Sequence, residues 1–150
     1  MKVSEVMTSP PVTITPHASL AEAVRRMGEG GIGSLLVTEN GTLRGIVTDR
    51  DLAVRGLGRG LDGDAPVEAV MSAQVVTVDA ADDVHVAYRT FRRAGVRRLP
   101  VLDGGRTAGM LTVDDLLLDV FQRLADLLGP VAWSVLAEPP GPPAATGPRR

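Results

Sequence analysis

Two short phrases hold the residues with the clearest chemical possibilities, GIVTDRDL at 45–52 and GMLTVDDL at 109–116. Each sets a threonine three residues before an aspartate: Thr48 with Asp51, and Thr112 with Asp115. That spacing is a capping box. The hydroxyl accepts from the amide three residues on, and the acid reaches back to the threonine amide. A helix start also has free amides and a partial positive charge, which suit a phosphate. A carboxylate there keeps lone pairs for a sugar diol. Thr and Asp at a strand–helix joint thus have the chemistry of a ribose-phosphate clasp.

The elements that position these residues are also written twice. Shifting the chain by 64 residues pairs VSEVM (3–7) with VEAVM (67–71) and VTI (12–14) with VTV (76–78). It also pairs GIGSLLV (31–37) with GVRRLPV (95–101), without a gap from Val3 to Ala53. The β-branched VTI and VTV runs suit strands. Leu20, Ala23, Val24 and Met27, and again Val84, Ala87, Tyr88 and Phe91, recur at helical spacing and predict amphipathic helices. Ser19 fits as N-cap of the first, Asp82 or Asp83 as N-cap of the second. Gly30-Gly31 and Gly95 end them. Two strands follow in each half, joined at ENG (39–41) and DGG (103–105), which read as hairpin turns. The fold class is therefore α/β (α+β): two β-α-β-β-α units, each preceded by a helical turn, packed together because one unit of this size could hardly bury its apolar faces alone.

With GIVTDRD and GMLTVDD each closing such a unit, the chain resembles a tandem pair of CBS domains, named after cystathionine β-synthase, whose repeat carries Gly-h-h-Thr/Ser-x-x-Asp (h, apolar). The resemblance spans about residues 3–118. It implies two repeats related by a pseudo-twofold axis, with two clefts between them. It also implies an adenosine-type ligand such as AMP, ADP, ATP or S-adenosylmethionine, and a regulatory protein that is not an enzyme and has no resident cofactor. By position, Asp51 and Asp115 would accept from ribose hydroxyls, and Thr48 and Thr112 would touch ribose or phosphate. Thr13-Ile14 and Thr77-Val78 would flank the base. Arg97 or Arg98 would reach phosphate; strand alternation predicts opposite faces for the two, one serving the ligand and the other solvated.

The halves differ in charge. Arg97 and Arg98 correspond to Gly33 and Ser34, whereas Arg50 corresponds to Asp114, which opposes an anion. Unequal sites are expected, with one binding a phosphorylated ligand more tightly.

Composition narrows the function further. A formal net charge of −2 with interspersed signs provides no basic field for nucleic acid, so that partner is not expected. Cysteine is absent, and His17 and His85 lack metal-type spacing, so no metal site is expected. GEGGIG (28–33) follows a helix and so lacks the context of a phosphate loop; no nucleophile–base pair is evident. The start, MKVSEVMTSP, lacks the apolar run of a signal peptide, and no segment reads as membrane-spanning, so a cytoplasmic location is expected. Met7 and Met71 read as core filling, with an adenine-pocket lining as the alternative. Asp79, Asp82 and Asp83 read as a helix start, and Asp62 and Asp64 as solvated linker.

The expected organisation is repeat 1 over 1–60, repeat 2 with an extended helix over 61–128, and an apolar patch with a Pro-rich tail over 129–150. Leu116, Leu117, Val120, Phe121, Leu124 and Leu128 give the last helix a broad apolar face, with Gly129-Pro130 expected to stop it. VAWSVL (131–136) adds apolar surface, and EPPGPPAATGPRR reads as disordered or polyproline-like. Such a face either completes the fold or meets another chain. The resemblance favours a homodimer, with an unidentified effector protein as the partner that reads the ligand.

Overall fold

The computed structural model describes the backbone of residues 1–137 and side chains as far as Val131. The expected Pro-rich tail lies outside the described residues, as do the side chains of VAWSVL beyond its first valine. The chain divides after Leu116 into a compact unit, Met1–Leu116, and a second unit from Leu117 onward.

Two three-stranded sheets make up the first unit. One has the order β1 (Thr13–Ile14), β2 (Ser34–Glu39), β3 (Thr42–Thr48); the other has β4 (Val78–Asp79), β5 (Arg98–Asp103), β6 (Arg106–Thr112). In each sheet the short first strand is parallel to the central one, and α1 (Leu20–Gly30) or α3 (Val84–Ala94) connects the two. The central and third strands form an antiparallel hairpin. Its two-residue turns are Asn40-Gly41, with φ of 54° and 79°, and Gly104-Gly105, with φ of 57° and 82°. Positive φ at both positions belongs to the type I′ turn, whose twist matches that of the strands. Each hairpin also carries a one-residue bulge, at Arg44 in β3 and at Ala108 in β6.

The helix boundaries follow their caps. Ser19 Oγ accepts from Glu22 N, and the Asp83 carboxylate accepts from His85 N, so Asp83 is the N-cap and Asp82 bonds Asp79 N instead. Gly31 and Gly95 close the helices in the left-handed region. Leu20, Ala23 and Met27 on α1, and Val84, Ala87 and Phe91 on α3, are buried as their spacing predicts. Val24 and Tyr88 are exposed, contrary to the sequence reading. They lie on the edge of the apolar stripe, and a three-stranded sheet covers only its middle.

The two halves exchange their beginnings. The 3₁₀ turn Val3–Glu5 does not pack on the first sheet; Val3, wholly buried, belongs to the core of the second with Val84, Leu99 and Leu111. Reciprocally, Val67 and Val70 complete the first core with Ile14, Leu20 and Leu35. Thr8 pairs with Met110 of β6, and Ser72 with Ile46 of β3. Lys2 bridges Asp83 while Pro66 bridges Ser19, so these bridges recur at the 64-residue offset, the signature of a pseudo-twofold axis. Met7 and Met71 ride in these segments and pack against the cores, the first of the two roles expected for them.

The glycine that opens each repeated phrase now has a cause. A β-carbon on Gly45 would meet Ser72 O at 2.6 Å and Met71 Sδ at 2.9 Å. On Gly109 it would meet Thr8 O at 2.7 Å and Met7 Sδ at 2.8 Å. The crossing segment lies too close to the strand for any side chain.

The helices after the two phrases differ. After Thr48, α2 (Asp49–Asp51) widens at once into a π turn at Leu52–Gly56 and then a 3₁₀ turn at Leu57–Arg59. After Thr112, α4 runs regularly from Val113 to Ala137. Gly129-Pro130 does not end it, a correction to the sequence reading: the helix carries Pro130 in its interior. Proline forgoes one ladder hydrogen bond there, and the helix-forming LADLL before it and AWSVLA after it favour continuation. Leu117, Leu118, Phe121, Leu124, Leu127 and Leu128 on α4 are exposed. Among the described residues no helix is long and apolar enough to cross a membrane.

Candidate functional site

Both capping boxes form. Thr48 Oγ1 accepts from Asp51 N at 3.1 Å while Asp51 Oδ2 accepts from Thr48 N at 3.0 Å. For Thr112 and Asp115 the distances are 3.0 and 2.9 Å. One carboxylate oxygen of each aspartate is thereby committed and the other left to its surroundings. Here the halves part: Arg55 Nε stands 3.9 Å from Asp51 Oδ1, whereas Asp115 has no ion-pair partner among the described residues. The position matching Arg55 is Asp119, itself paired with Arg123.

A cavity of about 270 Å³ opens beside Thr112. Its walls come from both halves of the first unit. Thr8, Pro10, Pro11 and Val12 precede and enter β1, and Ile32, Gly33, Ser34 and Leu36 lie at the start of β2. Arg97, Arg98, Met110, Thr112, Val113 and Asp114 come from the second half. The prolines hold the approach to β1 rigid, since the ring fixes φ. Val12, Ile32, Leu36 and Met110 make an apolar wall, and the arginines supply positive charge. A small apolar pocket with a few convergent polar groups is the usual form of a ligand site.

Of the residues singled out from sequence, the structure brings Arg97, Arg98 and Thr112 into this cavity, with Asp115 bonded to the Thr112 backbone. Both arginines line it. Alternation between opposite faces does not apply to the pair, because β5 begins at Arg98 and Arg97 lies in the turn before it. Ile14 and Val78 are buried in the two cores, and Val12, two residues before Ile14, lines the cavity instead. The Thr13 carbonyl accepts from the Arg26 guanidinium, and Thr77 is half-buried. Thr48, Asp51 and exposed Arg50 stand at the related joint of the other half and are not among this cavity's walls.

Sequence reasoning missed Pro10, Pro11, Ile32 and Gly33. The signal was present as an asymmetry: PPV precedes β1 where QVV precedes β4, and Gly33 stands where the second repeat has Arg97. Gly33 matters by its lack of a side chain. A β-carbon there would stand 3.0 Å from Asp49 Oδ2 and 3.5 Å from Arg98 Nη2. Among the described residues no group of three or more His, Cys, Asp or Glu is gathered to hold a metal ion.

Comparison with known proteins is consistent over most of the chain. The CBS domain matches twice, over residues 3–57 and 67–121. The CBS domain-containing protein YhcV of Bacillus subtilis is 32% identical over 117 residues, covering 78% of this chain and 84% of its own. The crystal structure of Hypoxic Response Protein I with two coordinated zinc ions superposes with a TM-score of 0.72 at 28% identity, over 78% of this chain and 97% of that one. A CBS domain protein from Pyrobaculum aerophilum, complexed with AMP, gives a TM-score of 0.70 at 28% identity, over 77% and 90%.

Proposed function

The chain belongs to the CBS-domain family and carries two copies of the domain; from that premise we propose that it is a regulatory protein that binds an adenosine-type ligand beside Thr112 and Asp115. The observation that carries this reading is the cavity beside the second capping box, walled by both repeats. Pro11, Val12, Ile32 and Met110 offer the apolar surface a base needs. Asp115 keeps an oxygen for ribose hydroxyls, and Arg97, Arg98 and the N-terminus of the long α4 favour a phosphate. The AMP complex of the Pyrobaculum protein supports the ligand class.

The two joints are unequal in this reading. Asp51 already has Arg55 near its second oxygen, and α2 lasts a single turn before it widens. Asp115 has neither feature, so its cleft is the stronger. The ligand is of the class of AMP, ADP, ATP and S-adenosylmethionine; binding would be read by an effector protein on another chain, without catalysis, through a change in how the two repeats pack. Such a change requires the ligand to prefer one arrangement over the other. A homodimer through the exposed apolar side of α4, and a cytoplasmic location, belong to the same proposal.

The test is melting temperature against AMP, ADP, ATP and S-adenosylmethionine. A ligand at a hundred times its dissociation constant adds about 2.7 kcal/mol, a shift of several degrees. The shift is expected to vanish in Asp115→Ala and to survive in Asp51→Ala. If no member of the panel moves the wild-type transition, the ligand reading falls.

A further inference from the structure

Arg98 is the half-buried cation of the cavity, yet among the described residues its guanidinium makes no ion pair or hydrogen bond with protein. Its Nη2 lies against Gly33, on the same side as Asp49 Oδ2, a carboxylate from the other repeat. Asp49 is exposed but oriented by two local bonds. Its amide donates to Gly33 O at 2.9 Å, and its Oδ1 accepts from Arg50 N at 2.8 Å, so that Oδ2 is the oxygen turned toward Gly33 and Arg98. The arrangement occurs once. At the 64-residue offset Asp49 becomes Val113 and Arg98 becomes Ser34, so nothing in the repeat itself requires it.

We propose that Asp49 restrains the affinity of the cavity for anions by holding the field of Arg98 toward the first repeat. This rests on the ligand reading given above and adds the charge class of the ligand. A phosphate entering beside Thr112 meets an Arg98 field partly offset by the Asp49 charge beyond Gly33, and Asp114 on the cavity wall opposes it as well. Two arginines against two nearby carboxylates leave the cavity close to neutral. It therefore favours adenosyl ligands with little negative charge, and a polyphosphate gains less than two arginines alone would provide. Asp49 is a positioning residue here: it acts on the ligand through Arg98. Gly33 leaves open the space that both groups, from different repeats, border.

The experiment is calorimetric titration of adenosine, AMP and ATP into wild type, Asp49→Asn, Arg98→Gln and the double variant. Asp49 is exposed and Asn retains the oxygen that accepts from Arg50, so the variant folds; its ligand-free melting temperature checks this. Asp49→Asn is expected to tighten AMP by about two- to fivefold, the scale of a partly screened charge pair, and ATP by more, with adenosine unchanged. In the Arg98→Gln background that gain is expected to disappear. Equal tightening of adenosine and AMP, no change in AMP, or a gain that survives loss of Arg98 would each overturn the proposal while leaving the ligand reading in place. Adenosine, AMP and ATP all failing to bind would overturn both.

Discussion

Gly45 lies directly beneath the Ser72 carbonyl, which belongs to the opposite repeat; a β-carbon at Gly45 would sit 2.6 Å from that oxygen. The obstacle is backbone, itself paired to Ile46 in both directions at 3.0 and 2.9 Å, so it has no easy way to retreat. Gly45→Ala is expected to destabilise the protein by about 1–3 kcal/mol, the cost of overpacking, and Gly109→Ala by a similar amount. Gly28→Ala is the contrasting case: it is helical with nothing within 4 Å of a β-carbon, and is expected to gain about 0.5–1 kcal/mol. Thermal melting of the three variants checks the order.

The exchanged segments predict where a lesion is felt. Val3→Ala removes buried atoms from the second core and Val67→Ala from the first, each at about 2 kcal/mol. Hydrogen exchange is expected to show lost protection in β5 and β6 for Val3→Ala, and in β2 and β3 for Val67→Ala. Loss confined to the repeat that carries the mutation would contradict the exchange.

The capping boxes have a structural cost separable from ligand binding. Thr48→Val and Thr112→Val each remove the acceptor for an Asp amide and are expected to lose about 1 kcal/mol without ligand. Only Thr112→Val is expected also to weaken an adenosine-type ligand, by titration.

Asp83 sets an acid limb. Its carboxyl is held below the usual carboxylate range first by the His85 amide, with desolvation opposing, and then by the Met1 ammonium and the His85 charge. A value depressed on folding stabilises at neutral pH, and that contribution is lost as the pH falls below about 4 and through the lowered value. Carboxyl NMR titration should place Asp83 below the ordinary aspartate value, and Asp83→Asn should flatten the acid limb of melting temperature against pH.

Much of this was legible because it is local. Ser19, Gly31 and Gly95 act within a helical turn, and Asn40-Gly41 and Gly104-Gly105 within a hairpin, so their residue types alone predict the geometry. Thr48 with Asp51, and Thr112 with Asp115, could be recognised by spacing. The exchange of Val3 and Val67 could not, because VSEVM and VEAVM fit either core equally well and nothing in their periodicity says which they enter. The cavity wall at Pro10–Val12 depends on that exchange, and so was hidden with it. Exposed Val24 and Tyr88 were misread because periodicity defines a stripe but not how wide a surface covers it. Pro130 was misread because a general helix breaker was given precedence over the helix-forming residues on either side.

The reciprocal placement of Val3 and Val67 also orders events during synthesis. The first core contains Val67 and Val70, so it stays incomplete until a growing chain has delivered residues well past its own last strand. The second core, conversely, uses Val3, made well before its own strands, which must be kept available until Leu99 and Leu111 arrive. Neither half has a finished interior without the other. The pair must therefore mature together and melt in one transition, although its sequence reads as two separable copies.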